Sequence, residues 1–176
     1  MQFSPVMSPL NLDKLQSWID KGRIDPSKPI TLKELVESRC LHGTPKNGVK
    51  ILAKGKEAFK TPIDITVSRA SQEAIKAIEA VGGKVTTRYF TKHSIKSVVY
   101  PSLFKIQPRL ANPTARKDIE YYRDPKHRGY LSDTLKEGES PSLFWKLPGP
   151  NRVGAGPRTM GEGDKRKKAK EENKLF

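Results

Sequence analysis

The stretch "DITVSRASQEAIKAIEAVGGKVTTRYF", residues 64–90, decides the fold. Upstream, "TPIDITVS" alternates Ile63, Ile65 and Val67 with Asp64, Thr66 and Ser68. That period of two is a strand with one buried face. Ser68 reads as the N-cap of the helix that follows. Ala70, Ala74, Ile75, Ile78 and Val81 then form a buried stripe at helical spacing. Gly82 or Gly83 supplies the left-handed residue that ends the helix, and "KVTTRYF" closes as a strand. The connection is too long for a hairpin, so strands 63–67 and 84–90 are expected to be parallel neighbours.

A helix opening directly after a strand can hold a phosphate. The motif details argue against a nucleotide here. There is no G-x-G-x-x-G and no Walker sequence, the turn "VSRAS" has no glycine, and Gly82-Gly83 lies at the other end of the helix. What remains is a contact between Ser68 or Arg69 and a nucleic-acid phosphate.

Upstream, "MSPLNL" reads as a strand, and "NLDKLQSWIDKG" as a helix capped by Asn11 or Asp13 and stopped at Gly22. Leu12, Leu15, Trp18 and Ile19 make its apolar face. "PITLKELVESRCL" carries Thr31 and Glu34 at capping-box spacing, with Leu32, Leu35, Val36 and Cys40 on one stripe. "GVKILAKGK" alternates as a strand ending at Gly55. The expected fold is α/β: a small mixed sheet with packed helices over residues 1–90, burying Leu12, Leu15, Trp18, Leu35, Ile51, Ile65, Val67, Ile75, Ile78 and Val85. Residues 91–176 hold 8 of the 14 prolines and show little periodicity beyond a short helical turn in "RKDIEYYRD". They read as an extended, basic C-terminal extension ordered by a large polyanionic partner.

The chain has 34 Lys plus Arg against 19 Asp plus Glu, for a net charge of +15. Such a surface attracts polyanions. Residues 1–90 carry 15 basic and 9 acidic side chains, and residues 91–176 carry 19 and 10, so the excess is spread along the chain. No run approaches the ~18 apolar residues of a membrane span. The single cysteine excludes an intrachain disulfide framework. Cys40 and His42 form a C-x-H pair, but only His93 and His127 remain as further soft ligands, too few and too scattered for structural zinc. No Ser-His-Asp set or carboxylate pair stands out, so the reading is non-enzymatic, with no metal, cofactor or small-molecule substrate.

The candidate RNA-binding residues are Lys46, Lys50, Lys54, Lys56 and Lys60 about the second strand, and Arg69, Lys84, Arg88, Lys92 and Lys96 about the opening stretch. Arg109, Arg116, Lys117, Arg123 and Arg128 follow, interleaved with Tyr121, Tyr122 and Tyr130, which could stack on unpaired bases.

"LNLDKLQSWIDKGRID", "GVKILAKGKE" and "TVSRASQEAIKAIEAVGGKVTT" resemble the C-terminal domain of the fifteenth large-subunit ribosomal protein family, of bacterial and organellar ribosomes. The likeness covers about residues 8–90. "RKDIEYYRDPKHRGYL" resembles the extension of mitochondrial members, fungal ones in particular. The resemblance implies a structural constituent of the mitochondrial large subunit in the matrix. Its partners would be ribosomal RNA and neighbouring large-subunit proteins. Family members carry a Gly- and Arg/Lys-rich N-terminal arm that penetrates RNA. This chain starts almost at the globular domain, so a member lacking that arm is expected. The alternatives are a small α/β enzyme or regulator acting on RNA or a nucleotide at the Ser68 turn, and a membrane-surface protein using "KRKKAK", residues 165–170.

Overall fold

In the computed structural model, which describes residues 5–136 and 139–143, the chain opens with β1 (Ser8–Asn11) leading directly into α1 (Leu12–Asp20). Asn11 is the extended N-cap residue, but its side chain makes no capping bond. Leu12 and Leu15 point inward and are fully buried. The helix stops at Gly22, whose φ of +65° suits a residue without Cβ. α2 (Leu32–Glu37) carries the expected capping box. Thr31 Oγ1 accepts from the Lys33 amide at 3.3 Å, and the Thr31 amide donates to Glu34 Oε2 at 2.8 Å. The helix is shorter than its apolar stripe. It ends at Glu37, and Cys40 reaches the core from the following turn.

β2 (Val49–Leu52) pairs in parallel with β1, with Leu10 opposite Ile51. β3 (Asp64–Val67), β4 (Arg69–Ala70), α3 (Gln72–Ala80) and β5 (Lys84–Thr87) follow. β3 and β5 are parallel, with Ile65 opposite Val85, as the crossover requires. The strands divide between two small sheets, β1-β2-β4 and β3-β5. Every strand pairing in them is parallel.

Two expectations about the 64–90 unit need correction. Ser68 is not the helix cap. The N-cap residue is Ser71, because β4 occupies two residues between β3 and α3. Of the two glycines, Gly82 takes the left-handed position, at φ +88°. Its amide donates to Glu79 O and that of Gly83 to Ile78 O, both at 2.9 Å, which is a Schellman ending. Gly83 serves a different need. A Cβ there would lie 2.7 Å from Ile63 O, so the chain passes too close to the start of β3 for any side chain.

The region after residue 90 contains more regular structure than its sequence suggests. α4 (Lys92–Val99) is capped by Thr91, buries Ile95 and Val99, and packs on α2. α5 (Arg116–Arg123) buries Tyr122 to 1% exposure, and Tyr122 Oη donates to Ser68 O at 2.8 Å. Beyond α5, Arg128 O accepts from the Thr87 amide and the Tyr130 amide donates to Thr87 O, so Gly129 extends the β3-β5 sheet. On the other edge, Ile30 bridges Ile65. Of the ten residues expected in the core, nine are fully buried. Trp18 is the exception and packs against the core edge. Residues 165–170 lie outside the described residues.

Candidate nucleic-acid interface

The charge along the chain is segregated. Between Glu37 and Glu57 there is no Asp or Glu, and the segment holds Arg39, Lys46, Lys50, Lys54 and Lys56. Between Glu79 and Asp118 there is again none, and this segment holds eight Lys and Arg. The fold brings the two segments together. Thr44, Pro45 and Lys46 face Lys92, Ile95 and Lys96 of α4 across a groove of about 370 Å³.

The groove is built from both sides. Thr44 Oγ1 and Tyr100 Oη hydrogen-bond at 3.1 Å and tie the loop to the end of α4. Thr91 Oγ1 accepts from the Ser94 amide at 3.1 Å and fixes the start of the helix. Ile95, buried to 1% exposure, sets the helix rotation, which leaves Lys92 and Lys96 exposed one turn apart. Like charges at that spacing destabilise a helix by about 0.2–0.5 kcal/mol. Among the described residues no carboxylate pairs with Lys46, Lys92 or Lys96. Three cations lining one concave surface without a counter-charge form a ready site for phosphate oxygens.

The other residues named from sequence sort into two sets. Some are held by carboxylates of this chain. Lys56 Nζ lies 3.2 Å from Glu73, Arg123 Nη2 2.9 Å from Glu139, and Arg116 Nε 4.0 Å from Glu120. Arg128 grips Glu79 with two bonds, Nε to Oε1 at 2.5 Å and Nη2 to Oε2 at 2.9 Å. That grip holds the Glu79 carboxyl below its usual range and raises the guanidinium. Arg69 Nη2 donates to Asp118 Oδ1 at 2.8 Å, and its guanidinium stacks over Tyr121 at 4.7 Å. Arg88 lies over Tyr130 at 5.2 Å. The second set, Lys50, Lys54, Lys60, Lys84, Arg109 and Lys117, is exposed with no ion pair among the described residues.

The Ser68 turn offers no nucleotide cradle. Ser68 is 1% exposed, and its Oγ accepts from the buried Val49 amide at 3.2 Å. Arg69 Nε is buried without a partner, but the other end of its guanidinium is committed to Asp118, whose carboxylate would repel a phosphate. Tyr121 and Tyr122 are also taken up by the fold. Tyr121 Oη donates to Ala70 O at 3.3 Å, Tyr122 is core, and burial raises both hydroxyls above their ordinary value. They are not available as base-stacking platforms. Burial pushes the Cys40 thiol up as well, which suits a packed side chain rather than a nucleophile. Among the described residues no helix is long and apolar enough to cross a membrane.

One cluster was not recognised in the sequence. Lys14, Lys21 and Arg23 surround the Trp18 ring at 5.3, 5.0 and 5.5 Å from its centre. The signal was present as Lys14 and Lys21 at helical spacing from Trp18, but Trp18 had been assigned wholly to the core.

Comparison with known proteins agrees with the motifs. A family model described as "Ribosomal proteins 50S-L15, 50S-L18e, 60S-L27a" matches residues 9–86. The Large ribosomal subunit protein uL15m of Neurospora crassa is 52% identical over 171 residues, covering 84% of this chain and 55% of the relative. The uL15m protein of Schizosaccharomyces pombe is 44% identical over 124 residues, covering 70% and 48%. That of Danio rerio is 37% identical over 139 residues, covering 75% and 47%. The chain spans about half the length of the curated relatives it matches.

Proposed function

The chain belongs to this family of large-subunit ribosomal proteins, and on that premise we propose that it is a non-enzymatic structural constituent of the mitochondrial large ribosomal subunit, working in the matrix. Its partners are ribosomal RNA and neighbouring large-subunit proteins. The observation that carries the RNA reading is the groove in which Lys46, Lys92 and Lys96 converge with no counter-charge. The exposed, unpaired lysines and Arg109 widen that contact. The carboxylate-bound Lys56, Arg69, Arg116, Arg123 and Arg128 hold the protein's own fold. Residues 91–176 act as the mitochondrial-type extension, with α4 supplying two of the three groove lysines.

Binding of this kind neutralises phosphates and recognises RNA shape rather than base sequence. It therefore weakens steeply with salt. On sucrose gradients of mitochondrial lysate the chain should sediment with the large subunit and be released only at high salt. Recovery solely in the RNA-free soluble fraction at low salt would contradict the assignment.

A further inference from the structure

We propose that Trp18 organises a second RNA contact, in which Lys14, Lys21 and Arg23 take phosphate oxygens of the backbone at a site separate from the groove. The proposal rests on the RNA-binding reading above and deepens it.

Trp18 is fixed first. Its Nε1–H donates to Ser38 O at 3.0 Å, and the ring packs against the core edge. Lys14, Lys21 and Arg23 all lie between 5.0 and 5.5 Å from the ring centre. The three charges are thus within roughly one Debye length of one another, about 10 Å at 0.1 M salt. The electron-rich face of the indole is what offsets their repulsion.

Three carboxylates lie close by in sequence, and each is committed elsewhere. Asp13 Oδ1 accepts from the Lys14 amide at 2.6 Å. Asp20 Oδ1 accepts from Gln16 Nε2 at 2.7 Å. Asp25 pairs with Lys28 at 3.4 Å and accepts from the Ser27 amide at 3.0 Å. None of Lys14, Lys21 and Arg23 has an ion-pair partner among the described residues. Solvated lysines on a helix spread apart, whereas these converge on a rigid platform. An anion seated there meets charge-assisted hydrogen bonds from two ammonium groups and a guanidinium. None of these residues lines the groove at Lys46, Lys92 and Lys96.

Trp18 is also the reporter. In full-length protein carrying Trp145→Phe it is the only indole. Poly(U) RNA is titrated while Trp18 emission and the anisotropy of labelled poly(U) are followed together. A saturable, salt-reversible change in emission is expected alongside RNA binding. Adding Lys21→Ala and Arg23→Ala should abolish the emission change and reduce the salt slope of binding by about 1.4, at about 0.7 per lost contact on a single strand. Binding through the groove should survive. RNA binding with unchanged Trp18 emission would overturn the second contact alone. No RNA binding at all would overturn it together with the RNA reading. An equal emission change with polyglutamate would assign the cluster to acidic protein instead and overturn the RNA identity. Circular dichroism should remain native in the double variant, whose two changed residues are exposed.

Discussion

Ser68→Ala tests whether this residue braces the fold or touches a ligand. Ser68 Oγ accepts the Val49 amide at 3.2 Å, and both residues are buried to 1% exposure or less. Alanine leaves that amide with no partner and no water. An orphaned buried donor costs about 1–3 kcal/mol. For a chain of this size a kilocalorie lowers Tm by about 2–4 °C, so a fall of roughly 3–9 °C is expected. Two readouts give the change an address. Amide hydrogen exchange should lose protection at Val49 specifically. Gly48→Ala should be destabilising in its own right, since its φ is +99° and its Cβ would lie 1.9 Å from Ser68 Oγ and 2.6 Å from Ser68 Cβ. Ser68→Gly removes both of those atoms, so the Gly48→Ala/Ser68→Gly pair should be less destabilised than the sum of the single changes. The reasoning is refuted if Ser68→Ala leaves Tm and Val49 protection unchanged while RNA binding falls.

Three further outcomes follow from the same contacts. Arg69→Ala removes the bond to Asp118 and the stack on Tyr121, both half-buried, and should lower stability by about 1–2 kcal/mol in urea unfolding; Arg69→Lys should recover only part, because lysine cannot stack as a plane. Glu79 is held below its ordinary value of 4.5 by Arg128, so its contribution is complete above that pH and is lost as pH falls through the lower folded value. Urea unfolding from pH 6 down to pH 3 should show this, and Glu79→Gln should flatten that part of the curve. Gly83→Ala drives a methyl against the Ile63 backbone and should cost about 1–3 kcal/mol, whereas Gly82→Ala meets open space and bears only its positive φ, at about 1–2 kcal/mol.

The framework of the fold was legible because its signals are local. The Thr31/Glu34 capping box, the alternation of Ile63, Ile65 and Val67, and the Gly-Gly ending each act within a few residues. The misread start of α3 shows the limit. Ser68 and Ser71 both stand ahead of the Ala/Ile stripe, and Ala70 fits the stripe as well as it fits a strand. Only the pairing of Arg69 and Ala70 with β2 decides between them. α4 was missed because two of its buried positions, Ser94 and Ser97, are polar. Ser94 Oγ is satisfied by Thr91 Oγ1 at 2.7 Å, and Ser97 Oγ by Ser94 O at 2.9 Å, so hydropathy shows no clear stripe. In the site, residue type identified the cations but not their partners. Arg69–Asp118 and Arg128–Glu79 each join residues 49 apart. Which cations stay free is a tertiary property.

The most direct test of the central claim compares two triple variants for binding to mitochondrial large-subunit RNA across a salt series. Lys46→Ala/Lys92→Ala/Lys96→Ala empties the groove, and Lys56→Ala/Arg123→Ala/Arg128→Ala removes cations already bound to carboxylates. Each takes three charges from a net +15. The groove variant should lose affinity and flatten the salt dependence by roughly 2–3 in slope, while the paired variant keeps most of both. Equal losses would mean that net charge alone governs binding and that the groove is not the site.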